Sequence, residues 1–207
     1  MSILNKLATS LNRRDEVPNQ QLAKQIVEKK DTAAVKELFE NLNNKSKDIQ
    51  HDCIKVLYEI GERKPAMIAG YVKEFITLLE SKNNRLQWGG MLALDKIALE
   101  DPKAIYSVLG KIISAADKGS VITRDGAVSI LIKLCTLKQY SSAAFSLLVE
   151  QLLNSPTNQL PMYAENAIPI INEKIKSIFI KTLLSRIEEI EKDTGRKRIE
   201  KVIKKIS

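Results

Sequence analysis

Two stretches decide the fold: Ile49-Gln-His-Asp-Cys-Ile-Lys-Val-Leu-Tyr-Glu-Ile60 and Leu86-Gln-Trp-Gly-Gly-Met-Leu-Ala-Leu-Asp-Lys-Ile97. In both, apolar residues recur at helical spacing, and neither alternates with period two. They are also copies of one template, 37 residues apart. The same shift lays Leu42–Ile49 on Leu79–Leu86, Cys53 on Gly90, Leu57 on Leu94 and Pro65 on Pro102. A further shift of 36 carries Leu86 to Ile122, Gly90 to Gly126 and Leu94 to Ile130. One of 38 then carries Ile122 to Leu160, Gly126 to Ala164 and Ile130 to Ile168. A fixed period of this length marks a stacked array of supersecondary units.

The template has a mechanical reading. Its first position is apolar, its fifth is small and its ninth is apolar. A helix that must approach a partner closely at one point needs a small side chain there. The column Cys53, Gly90, Gly126, Ala164 supplies one. Two glycines inside helices cost about 1 kcal/mol each against alanine, which close packing would offset.

Working outward, helices are expected near residues 3–11, 19–29, 32–42, 48–61, 65–80, 84–99, 102–116, 122–137, 141–153, 160–172 and 173–191. A last basic helix is expected from about 195 to 206. Asp31 and Asp101 are placed to cap helix starts, and Pro65 and Pro102 to occupy first turns. The expectation is a single all-α domain over residues 1–207. Capping helices would fill 1–30, a repeat body 31–173 and basic capping helices 174–207.

The two quoted segments resemble the second helix of a HEAT repeat. That pattern runs apolar, polar or Arg, two variable residues, small, then Ala-Leu and Leu or Ile. The resemblance covers about Ala33 to Asn172. It implies a right-handed α-α superhelix (HEAT or armadillo-like solenoid) of about four to five helical hairpins. The arginine common after the first apolar residue is Gln50, Gln87, Thr123 and Pro161 here, which puts an inter-repeat Asp–Arg ladder in doubt. Second helices line the concave face of such arrays, so His51, Trp88, Arg124 and Met162 would form a stripe there. Gln87 and Asp125 would lie beside it. Trp and Arg are common anchors of binding surfaces; the competing reading packs Trp88 between repeats.

Other signals point to a binding protein. The net charge of +8 belongs to the ends. Residues 1–30 hold six basic and three acidic residues, 31–173 sixteen and seventeen, and 174–207 eleven and five. A duplex-binding groove would place its cations along the body. The terminal run Gly195-Arg-Lys-Arg-Ile-Glu-Lys-Val-Ile-Lys-Lys-Ile-Ser207 is basic and amphipathic. Arg196, Lys197, Arg198, Lys201, Lys204 and Lys205 would form a basic surface on a capping helix, or a dock for an anionic partner.

No phosphate loop, H-E-x-x-H or nucleophile elbow occurs. His51, the sole histidine, reads as a surface residue, and Cys53 and Cys135 as two buried small hydrophobes. No metal and no cofactor are expected. No segment reaches membrane-spanning length, and the N-terminus lacks a signal-peptide core, so cytoplasmic residence is the expectation. The Trp88 neighbourhood is loosely similar to the alkylpurine DNA glycosylases built from HEAT-like repeats. Their aromatic–Asp motif is not met: Leu92 stands four residues after Trp88, and Asp95 seven. The leading expectation is a non-enzymatic scaffold for a protein or peptide. The alternative is a nucleic-acid-binding protein with distant glycosylase ancestry. Oligomeric state is left open.

Overall fold

The structure is a computed structural model that describes residues 2–207. Among these residues 78% are helical and none is in a strand. The chain divides into two compact units, Met1–Ala127 and Val128–Ser207.

The first unit opens with two short 3-10 turns, Ile3–Lys6 and Thr9–Leu11, where one helix over 3–11 was expected. The break falls between them, where the Leu7 backbone is extended and Asn12 ends the second turn in the left-handed region. Then come α1 (Val17–Lys29), α2 (Thr32–Glu40), α3 (Lys47–Arg63), α4 (Val72–Leu78), α5 (Asn84–Ile97), α6 (Pro102–Ser107), α7 (Leu109–Lys118) and the first half of α8 (Val121–Cys135). α2 packs on α3 and α4 on α5, forming hairpins, and the second helices α3 and α5 lie side by side. α1 covers the other flank of α3.

Asp31 and Asp101 cap as expected: their carboxylates accept from the Ala34 and Ala104 amides, both at 2.9 Å. Pro102 starts α6, whereas Pro65 starts only a 3-10 turn. The second helices have their own caps: Ser46 Oγ accepts from Ile49 N, Asn83 Oδ1 from Arg85 N, and Ser120 Oγ from Thr123 N. Each cap lies 37 residues after the last.

These caps correct the register of the third copy. The sequence alignment put Ile122 in the buried first column, yet Ile122 is 42% exposed while Thr123 is fully buried. Leu86 therefore corresponds to Thr123, and the spacing is 37 throughout, through to Leu160. Chemical likeness of Ile122 to Leu86 produced the slip. The Thr123 hydroxyl is satisfied at that inward position, 3.1 Å from Ser120 Oγ.

Gly90 acts as the template demands, whereas Gly126 falls outside its column, where Ala127 stands instead. A Cβ on Gly90 would lie 3.0 Å from Leu78 Cβ and 3.1 Å from the Phe75 carbonyl, so Gly90 admits α4. A Cβ on Gly89 would lie 2.5 Å from Ile54, so Gly89 admits α3. Gly126 matches Gly89 in the corrected register, and its Cβ would meet Met91 of α5 at 2.7 Å. One glycine thus seats α5 within its hairpin and the other seats it against its neighbour.

The second unit holds the rest of α8, then α9 (Ser141–Asn154), α10 (Leu160–Ala167), α11 (Lys176–Arg186) and α12 (Asp193–Ile206). α9 packs on α10 and on α11, and α12 packs on α10. Ile199 and Val202 of α12 are buried, while its lysines point outward. Cys53 is buried, but Cys135 is only half-buried. Desolvation pushes both thiols up to about 12, so neither forms a thiolate readily.

Candidate binding groove on the second helices

The groove of the first unit is built on α3 and α5 and closed on one side by the N-terminal segment. Asp52 of α3 positions that segment. Its Oδ2 accepts from the Thr9 amide at 2.8 Å and its Oδ1 from Asn19 Nδ2 at 2.6 Å. Asn19 is buried and in turn accepts from the Ala8 amide at 3.0 Å. The chain from Ala8 to Glu16 is thereby held over the start of α3.

Beneath it lies an open cavity of about 540 Å³, lined by Thr9, Asn12, Arg13, Arg14, Asp15, Glu16, Asp48, His51, Asp52 and Arg85 among others. Its charges balance closely. Arg13 pairs with Asp15 at 2.8 Å, and that hydrogen bond lowers the Asp15 pKa. Arg14 is exposed on the rim.

Behind the cavity is a buried lysine. Lys55 is 5% exposed, with its Nζ 2.7 Å from Glu16 and 2.8 Å from Glu59, and it sits 4.8 Å from the Tyr58 ring centre. Burial works against its charge, but the two carboxylates prevail and raise its pKa. Glu59 also takes an ion pair from Arg63. Glu16 reaches a second cation, Arg85, at 3.4 Å.

Arg85 connects the cavity to the aromatic pair. Its guanidinium lies 5.7 Å from the Trp88 ring centre, and Trp88 lies 6.1 Å from Tyr58. Trp88 is half-buried, so it is not fully sealed between repeats.

The expected stripe separates into parts. His51 is half-buried and joins the groove, with its Nε2 3.1 Å from Asn83 Oδ1; Asn83 Nδ2 donates to Gln50. Gln87 donates to the Leu79 carbonyl at 2.9 Å, so it closes the end of α4. Arg124 is folded against Asp117 at 3.9 Å, largely withdrawn from solvent. In the corrected register Asp125, not Arg124, follows Trp88, and Asp125 is half-buried. Met162, half-buried on α10, belongs to the second unit. Asp95 is buried on α5, 3.7 Å from Lys96, and is not among the residues lining the cavity.

The basic surface also divides. Arg196 Nε donates to the Ile190 carbonyl at 2.6 Å, and Arg198 clasps Glu165 through two bonds of 2.8 and 2.6 Å. That clasp holds the Glu165 carboxyl below its ordinary value. Lys197, Lys201, Lys204 and Lys205 are exposed on α12.

Sequence reasoning missed Glu16, Lys55, Tyr58, Asn83 and Arg85 as groove residues. One signal was available. Lys55 occupies the template position of Leu92, and a charge at an inward-facing position needs a partner.

No family model and no curated protein matches this sequence. Solved structures do. A designed armadillo repeat protein in complex with the peptide (KR)4 superposes with a TM-score of 0.68 at 15% identity, covering 99% of both chains. Computationally designed armadillo repeat proteins for modular peptide recognition give 0.66 at 13%, over 90% of this chain and 87% of theirs. The fold is that of the HEAT and armadillo-like helical repeats. An engineered protein gives 0.60 at 19%, over 100% of this chain and 97% of its own. Among the described residues no helix is long and apolar enough to cross a membrane, and no cluster of three or more His, Cys, Asp or Glu could hold a metal.

Proposed function

We propose that this armadillo-like protein is a non-enzymatic binding module that engages a peptide or protein segment along the second-helix groove of its first unit. The observation that carries the reading is Trp88. A half-buried indole flanked by Tyr58 and by Arg85, which itself lines the open polar cavity, has the composition of a binding anchor. The likeness to designed repeat proteins that recognise peptides is compatible with it.

The nucleic-acid reading has less behind it. The groove's cations are matched by carboxylates, so it lacks the surplus that phosphate neutralisation requires. Two of the six basic residues on and around α12 are engaged within the fold.

Panning a random peptide library against the wild type and Trp88→Ala tests the proposal. Peptides retained by the wild type and lost by the variant are expected. A library that yields no Trp88-dependent binder, alongside DNA retention that weakens steeply with salt, would overturn it.

A further inference from the structure

Glu16 is an odd neighbour for the groove. It stands at the N-cap of α1, yet its side chain makes no capping hydrogen bond. It crosses instead to the second helices and spans two cations, Lys55 of α3 and Arg85 of α5. Its side chain is 47% exposed, whereas that of Lys55 is 6% exposed. Lys55 keeps Glu59 when Glu16 leaves. Arg85 keeps nothing comparable: its Nε is buried with no hydrogen-bond partner, and its reach to Glu16 is a long 3.4 Å. A guanidinium with five donors is under-used here. Its side chain is 40% exposed and borders the cavity, so an incoming acceptor can reach it.

The other carboxylates lining the cavity are Asp15, Asp48 and Asp52. Asp15 is held by Arg13, and Asp52 by the Thr9 amide and Asn19, so Glu16 is the carboxylate that occupies Arg85. We propose that Lys55 and Arg85 form a carboxylate-recognising subsite for an acidic side chain of the bound peptide, and that Glu16 is its built-in competitor. This rests on the peptide-binding reading above and adds a preference to it. The partner carries Asp or Glu at the position that seats beside Trp88, opposite in charge to the basic peptide of the designed relative.

A competitor tethered beside its site lowers apparent affinity by the fraction of time it occupies it. Glu16→Gln removes that competition without shortening the side chain. The probe is a hexaglutamate peptide titrated against the intact chain, with hexalysine as control. Trp88, the single tryptophan, supplies the emission signal next to Arg85. Glu16→Gln should bind hexaglutamate about five- to tenfold more tightly than the wild type, with hexalysine unchanged. Arg85→Gln in the Glu16→Gln background should erase that gain. Glu16→Asp, which keeps the charge but cannot span both cations, should fall between and serves if Glu16→Gln folds poorly.

Equal affinity of wild type and Glu16→Gln for hexaglutamate, no binding by either, or a gain insensitive to Arg85 would overturn the subsite. If library panning still yields Trp88-dependent peptides that are neutral or basic, only the acidic preference fails. If panning yields none, the underlying binding reading fails with it.

Discussion

Arg85 lies over the indole of Trp88, 5.7 Å from the ring centre and one turn ahead of it on α5. Residues three apart on a helix are neighbours, so this contact is local. It holds both side chains in place before any partner arrives, which lowers the entropy cost of binding. At a part-exposed site the cation–π contact contributes about 0.5–1 kcal/mol.

Arg85→Ala should therefore cost little stability, about 1 kcal/mol or less by thermal denaturation. Trp88 emission should nonetheless shift and become easier to quench with acrylamide. Unchanged quenching would mean that other groups hold the indole.

The glycines make a sharper stability series. Gly90→Ala should destabilise, because its Cβ would press on the Phe75 carbonyl. Gly89→Ala should also destabilise, by crowding branched Ile54. Overpacking of this kind costs about 1–3 kcal/mol, against about 1 kcal/mol gained in helix propensity. Gly110 lies in α7 with nothing within 4 Å of its would-be Cβ. Gly110→Ala should stabilise by up to about 1 kcal/mol. Chemical denaturation of the three variants checks the order.

Asp52→Ala should loosen the N-terminal segment, since it removes acceptors from the Thr9 amide and from buried Asn19. Leaving such donors unpaired costs about 1–3 kcal/mol. Hydrogen exchange at the Ala8 and Thr9 amides should quicken, and trypsin should cut faster at Arg13 and Arg14. Protection equal to the wild type would show that the segment is held elsewhere.

Glu59 supplies a pH test. Burial disfavours its charge, but hydrogen bonds from Lys55 and Arg63 outweigh it and depress the pKa below the ordinary 4.5. A depressed folded-state pKa contributes stability above the unfolded value that is lost as pH falls through the folded one. Glu59→Gln should thus lower Tm at neutral pH, and its difference from the wild type should shrink below pH about 4. A difference that stays constant into acid would remove Glu59 as a source of that stability.

The helical array was legible because a 37-residue period and a helical apolar pattern repeat side by side. Asp31 and Asp101 could be assigned as caps because capping is local. The slip at Ile122 shows the limit. Side-chain chemistry favoured Ile122, whereas the recurrence Ser46, Asn83, Ser120 would have chosen Thr123. Trp88 and His51 were visible as unusual residue types on second helices. Glu16 was not, because it reaches α3 and α5 from a segment outside the repeat pattern. Arg124 and Gln87 were read as stripe residues without sight of the contacts they make within the fold. Whether a surface polar group is already engaged depends on tertiary contacts to Asp117 and the Leu79 carbonyl.

The most direct test of the groove is a fluorescence titration of the intact chain with a library-selected peptide, reading Trp88. The account predicts a saturable change in Trp88 emission, at least about tenfold weaker affinity in His51→Ala and Arg85→Ala, and unchanged affinity in the Lys204→Ala, Lys205→Ala double variant on α12. Binding that leaves Trp88 emission untouched, or that is lost with the α12 lysines and retained without Arg85, would contradict it.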